Sequence, residues 1–236
     1  MRSKPVLMAA VAAATMLVGG SGASANPIYI GYKINGGATQ LGSVTNTGAA
    51  FFNAKVGNIT FNLSAIGSPI LAEPNLFSVE LGARNSAAGA TANISVFITE
   101  TRLTTKTDFL TTAWTNNALS SNPITFSSYA HNCVIAGCGG FGTADVFSTV
   151  GLVHQDANVA KNTANFSLDD FPMGISGMYT ETLVYTFKLG RNQSSSGTLS
   201  LTGSNRPVPE PLTLSLFGAG LAGVAAIRRR KQKPQA

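Results

Sequence analysis

Apolar and polar residues alternate with period two in segment after segment of this chain. A chain patterned that way buries its apolar side in a sheet and not along a helix. Ile28, Ile30, Tyr32 and Ile34 share one face of the first such segment, and Ile59, Phe61 and Leu63 one face of the stretch 56–64. Phe77, Val79, Leu81 and Ala83 are expected on a common face of the next. Ile94, Val96 and Ile98 repeat the pattern with Phe97 opposite, and Ile124 and Phe126 begin a shorter segment. The longest carries Tyr179, Leu183, Tyr185, Phe187 and Leu189, interrupted by Glu181, and Leu199 and Leu201 mark a last one. Turn formers lie between them: Asn35-Gly36-Gly37, Asn46-Thr47-Gly48, Arg84-Asn85-Ser86, Gly139-Gly140 and the stretch 194–197. No helical period of useful length is present, although 103–119 leaves room for a helical turn around Asp108 and Leu110. The expectation is an all-β domain over 26–205, an antiparallel β-sandwich of about 8–10 strands, Ig-like or jelly-roll-like. The absence of a fixed-length repeat argues against a solenoid or propeller.

Charge separates this middle from the two ends. The 236 residues carry a formal net charge of +6, but the segment 26–208 holds 9 basic and 9 acidic residues and is neutral. The basic excess sits in Arg2 and Lys4 and in the run Arg228-Arg229-Arg230-Lys231 with Lys233. A nucleic-acid partner, which would need basic residues clustered on the folded domain, is therefore not expected. Asn, Ser and Thr supply 58 of the 183 residues in 26–208, so the polar surface is built from hydroxyls and amides.

Residues 1–25 have the layout of a secretory signal peptide. Arg2 and Lys4 form a basic start, 6–18 is an apolar run, and Gly19, Gly20 and Gly22 break it. Ala23-Ser24-Ala25 offers small residues at both positions a signal peptidase must accept, so cleavage is expected between Ala25 and Asn26. The apolar run is shorter than the roughly 20 residues a membrane span needs.

The other end has three parts within 206–236. Pro209-Glu210-Pro211 is held extended by its prolines. Residues 212–227 carry no charge and form a short transmembrane helix in expectation, with Arg228, Arg229, Arg230 and Lys231 as a basic stop on the cytoplasmic side. This arrangement, with Gly218, Gly220 and Gly223 in the apolar span, closely resembles the PEP-CTERM sorting signal of exported bacterial proteins. The tail of that family is also described as an ice-binding protein C-terminal domain, a label for the tail alone. The resemblance implies cleavage near the tripeptide by an exosortase, a membrane cysteine transpeptidase-like enzyme, and a Gram-negative host that makes exopolysaccharide. The segment from Ile94 to Thr112 also resembles, more loosely, the β-rich ectodomains of such proteins.

Within the domain the candidate sites are few. Cys133 and Cys138 enclose four residues including Gly137, and in an exported chain a disulfide is the expected state. The competing arrangement adds His131 and His154 as ligands to a zinc ion. The carboxylates Asp145, Asp156, Asp169 and Asp170 lack the Asp-x-Asp-x-Asp-Gly order of a calcium loop. Glu73 and Glu80 do not make a convincing catalytic pair, and the Ser176 surroundings lack the Gly-x-Ser-x-Gly elbow. No metal, cofactor or catalytic residue is therefore expected. Trp114 is the candidate glycan contact, with Tyr129 and Tyr179 as further aromatics. The Thr-x-Thr triplets, such as Thr99-Glu100-Thr101, have no regular period and do not suggest an ice-binding array.

The reading that follows is a non-enzymatic protein, exported through the inner membrane. It is then secreted or displayed at the cell surface, with a transient membrane contact through 212–227. An exosortase-type enzyme is its processing partner, and exopolysaccharide or biofilm matrix a further candidate partner. The alternative is a glycan-binding or adhesive module on the same fold, and a secreted hydrolase comes third.

Overall fold

The computed structural model describes residues 26–205, apart from Ala87, the stretch 118–123, Lys161 and Met173. The signal segment with Ala23 and Ala25, and the sorting segment with its apolar span, lie outside the described residues.

Thirteen strands are present among the described residues: β1 (Ile28–Ile34), β2 (Gln40–Thr45), β3 (Ala49–Val56), β4 (Ile59–Ile66), β5 (Leu76–Asn85), β6 (Ala92–Leu103), β7 (Phe109–Asn116), β8 (Ile124–Asn132), β9 (Leu152–Val159), β10 (Thr163–Asp170), β11 (Tyr179–Leu189), β12 (Ser194–Ser195) and β13 (Gly197–Ser204). All pairings are antiparallel, and no helix is present among the described residues. Sheet A has the order β2-β1-β6-β11-β8-β9, and sheet B the order β10-β7-β13-β5-β4-β3, with β12 paired to β5. The expected all-β sandwich is therefore present, with more strands than the expected 8–10. The excess comes from segments of weak apolar alternation, β2, β3, β9 and β10, which pair at the sheet edges.

The core lies between the sheets, where the alternation places it. Ile28, Ile30, Ile94, Val96, Ile98, Phe126, Leu183, Tyr185 and Phe187 point inward from sheet A, and Ile59, Phe61, Leu63, Leu110, Trp114, Leu199 and Leu201 from sheet B. An aromatic column runs through it: Trp114 stacks on Phe126 at 5.0 Å, Phe126 on Tyr185 at 4.8 Å, and Tyr185 meets Phe187 at 4.5 Å. Stacking of this kind adds about 0.5–1.5 kcal/mol per pair beyond area burial.

Three local expectations are corrected. The stretch around Asp108 and Leu110 is not a helical turn, because Phe109 opens β7, whose eight residues pair with β10 on one side and β13 on the other. Arg84 and Asn85 end β5 instead of forming a turn, and Ser194–Ser195 is strand β12. Phe77 and Val79 do not share a face with Leu81 and Ala83. The register between β4 and β5 shifts at Ser64/Ala65, and this bulge rotates the strand by one residue. Leu81 and Ala83 stay in the core while Phe77 and Val79 turn to solvent.

Candidate functional site

The outer face of sheet B carries an apolar surface that includes Phe77, Val79 and Phe166. One ladder row crosses four strands as Phe166, Ala113, Ser200 and Phe77. Small residues at the two middle positions leave a trough between two aromatic walls, three strand spacings or about 14 Å apart. Thr115 and Thr198 extend its floor with a hydroxyl–hydroxyl contact of 2.8 Å, and Val79 and Ala164 complete a groove of about 680 Å³. Phe166 is 71 % exposed, so its ring face is open to a partner.

Trp114 contributes to this groove from behind. Its ring is in the core against Phe126, only 6 % exposed, and its Nε1–H donates to Asp156 Oδ2. The indole therefore offers no face to a sugar ring. Tyr179 is fully buried, with its hydroxyl donating to the Thr105 carbonyl at 2.5 Å. The exposed aromatics Phe77 and Phe166 were not legible as such. Alternation in 163–170 invites the inference that Phe166 and Leu168 face inward, and the register against β7 turns them outward.

That inversion has a visible cause. Asp169, on the other face of β10, meets the inward His154 of edge strand β9. His154 Nδ1 lies 3.4 Å from Asp169 Oδ2, and His154 Nε2 lies 3.2 Å from Asp156 Oδ2. Ser167 Oγ donates to Asp169 Oδ2 at 2.7 Å. The seam thus closes one side of the sandwich with polar side chains where a backbone ladder is lacking.

On the outer face of sheet A, the loop after β8 folds back over the strands. Cys133 and Cys138 are joined by a disulfide, so neither sulfur is a thiolate available to zinc. Asp145 is fully buried and accepts from the N–H groups of Val134 at 2.5 Å, Ile135 at 3.1 Å and Gly139 at 3.1 Å. His131 contacts Thr180 Oγ1 through Nδ1 at 2.9 Å, with Nε2 3.9 Å from Asp145. Burial lowers the His131 pKa from its ordinary value, against the opposing charge of Asp145. His131 and His154 face opposite sides of sheet A and are not brought together. Phe147 from the same loop packs on Phe97 at 5.7 Å and lies over Gly31, where a Cβ would collide with its ring.

A third polar group is interior. Glu100 on β6 and Glu181 on β11 are register partners, both fully buried and both facing the core. Glu100 Oε1 accepts from the Ser68 N–H at 2.8 Å, while Glu100 Oε2 and both Glu181 oxygens lack a partner. Burial raises the Glu100 carboxyl to about 8; the Ser68 N–H opposes this and the charge of Glu73 adds to it. Burial and then the charges of Glu100 and Glu73 hold Glu181 well above the usual carboxylate range. Burial also raises Glu73, but N–H groups of Thr104 and Thr105 and the Asn26 amide outweigh it and hold that carboxyl below its ordinary value. Asn26, expected as the first residue after signal-peptide cleavage, is 4 % exposed. Its Nδ2 donates to Glu73 Oε1 at 2.5 Å. Sequence reading recognised Glu181 only as an interruption; the signal was an acid at an inward position of the most apolar strand.

Pro209, Glu210, Pro211 and the basic stop Arg228, Arg229, Arg230 and Lys231 lie outside the described residues, and their identification rests on sequence. No curated protein matches the chain. Residues 207–231 match the family model of the PEP-CTERM protein-sorting motif, and the chain accordingly carries that motif behind an all-β sandwich domain.

Proposed function

We propose that the chain is an exported, non-enzymatic protein of the cell surface or extracellular matrix, sorted and processed at Pro209-Glu210-Pro211 by an exosortase-type enzyme. The sorting motif at 207–231 is the observation that carries this reading. The stiff tripeptide is the segment the processing enzyme grips, and 212–227 holds it at the membrane until cleavage. The domain then stays outside, in contact with exopolysaccharide. Both histidines are engaged in holding the fold, His131 beneath the disulfide loop and His154 in the β9–β10 seam, which supports a role without acid–base catalysis. Intact mass of the native exported protein tests the sorting step. Mature material that still contains Arg228 to Lys233 would sink it, and Glu210→Ala is expected to leave the tail on.

The groove between Phe77 and Phe166 favours a second reading, a glycan-binding module on the same domain. Aromatic walls with a hydroxyl floor suit sugar rings, whose C–H faces stack and whose hydroxyls seek partners. The mature protein is to be mixed with the host's exopolysaccharide, and bound protein and new reducing ends measured together. Saturable binding that falls at least tenfold in Phe166→Ala, without new reducing ends, supports the module. Binding unchanged in that variant removes the groove from the account, and release of reducing ends would revive a hydrolase.

A further inference from the structure

The interior of the sandwich is short of a cation at one end. Around the Glu100–Glu181 pair stand Glu73 from the loop after β4, Tyr179 from β11, and Asn26 ahead of β1. The two bases that follow Glu100 along the chain are committed elsewhere. A register shift between β6 and β11 puts Arg102 at φ 67° and turns it outward, where its Nε donates to the Gly137 carbonyl at 3.1 Å. Lys106 Nζ donates to the Ile175 carbonyl at 2.6 Å. Among the described residues, the charges that act on the pair come from acids. Glu100 Oε2 packs against Gly67, close to where a Cβ on that residue would lie. Buried carboxylates are kept in folds when something pairs with them.

Asn26 shows where the partner comes from. Parity along β1 places it on the inward face with Ile28 and Ile30, and its side chain is caught between Glu73 and Glu100. The Pro27 carbonyl accepts from the Thr101 N–H at 3.1 Å, and Ile28 is the register partner of Glu100, so the chain is fastened at this point. The backbone nitrogen of Asn26 is the atom joined to Ala25, at the bond that Ala23-Ser24-Ala25 marks for the signal peptidase.

We propose that hydrolysis of the Ala25–Asn26 bond supplies the missing cation, so that the new α-ammonium of Asn26 closes onto the Glu100–Glu181 pair and export completes the fold. In that step the oxygen of water bonds to the Ala25 carbonyl carbon and the C–N bond breaks. Ala25 leaves as a carboxylate and the nitrogen as an ammonium. Before cleavage the nitrogen is a neutral amide with one N–H; afterwards it has three donors and a unit charge, set against the Glu100 carboxyl and two Glu181 oxygens that lack a partner. The precursor therefore carries an electrostatic fault that the mature protein lacks. The proposal rests on the cleavage reading, and the test separates the two.

The full chain is exported from its host, and the N-terminus of the mature protein is read by mass. A second form carries one Gly inserted after Ala25, so that a Gly precedes Asn26 and moves the ammonium one residue outward. The Gly form is expected to melt lower by roughly 5–10 °C at pH 7. In the Glu100→Gln, Glu181→Gln background the two forms are expected to melt together. If those variants do not fold, reactivity decides: the α-amine of the mature wild-type protein should acetylate more slowly than its lysines, and at an ordinary rate in the Gly form. A mature terminus at a residue other than Asn26 overturns the cleavage reading and the proposal with it. A terminus at Asn26 with equal melting and an ordinary α-amine rate overturns the proposal alone.

Discussion

Glu100 and Asp145 are both fully buried acids, and their surroundings could hardly differ more. Asp145 accepts from three backbone N–H groups, whereas Glu100 has one such donor and a second acid opposite. Removing the buried Asp145 carboxylate takes the shared acceptor away from three backbone N–H groups of a partly exposed loop. Asp145→Ala is therefore expected to destabilise by about 3 kcal/mol or more, measured by urea unfolding. Glu100 works in the opposite direction. Its folded pKa of about 8 lies above the ordinary 4.5, so the folded state binds more protons than the unfolded chain between those values. Its contribution to stability is full below pH 4.5 and is lost as pH rises toward 8. In the form with Gly before Asn26, unfolding free energy should fall by up to about 1.4 kcal/mol per pH unit across that window, and Glu100→Gln should flatten the slope.

At the scale of elements, the disulfide and the Asp145 hub hold the same loop by different means. The chain-entropy model gives about 2 kcal/mol for closing a ring this small. Cys133→Ser with Cys138→Ser should then cost less than Asp145→Ala, with the order of the two unfolding midpoints as the check. The seam between β9 and β10 yields a separate expectation. His154→Ala removes contacts to Asp156 and Asp169 from opposite edges, so amides of β9 and β10 should exchange faster with solvent while β6 and β11 stay protected. These elements also show what the sequence carries on its face. Strands with strong alternation, such as β1, β4, β6 and β11, point as their patterns demand. The bulge that splits Phe77 from Leu81 adds one residue without any turn former to announce it. β10 inverts where Asp169 finds His154 on β9, a partner set by how the two sheets meet and not by the local pattern. The candidate groove inherits both surprises, which is why Trp114 is the aromatic that sequence suggests and Phe77 and Phe166 are those at the surface.

At the scale of the whole molecule, the domain and the motif divide the labour. The domain has balanced charge and a surface of hydroxyls and amides, so its contacts outside the cell should depend little on ionic strength. Binding to exopolysaccharide should accordingly change less than about twofold between 50 and 300 mM salt, a measurement that separates sugar stacking from ionic adsorption. The motif acts once, in sorting, and Pro209→Ala with Pro211→Ala should accumulate unprocessed protein in the membrane fraction without altering the melting of the domain.

The inverted strand β10 has one more implication, best put as a choice of reading frame. A slip of one residue along β7 would exchange its two faces, burying Phe166 and Leu168 and exposing the half-buried Ser167 and Asp169. Apolar burial alone favours the slipped frame by roughly 2 kcal/mol per side chain. The contact of His154 with Asp169 on β10 belongs to the observed frame and would be lost in the slipped one. The observed frame therefore presents aromatic rings, and not amides, on the outer face of the sheet.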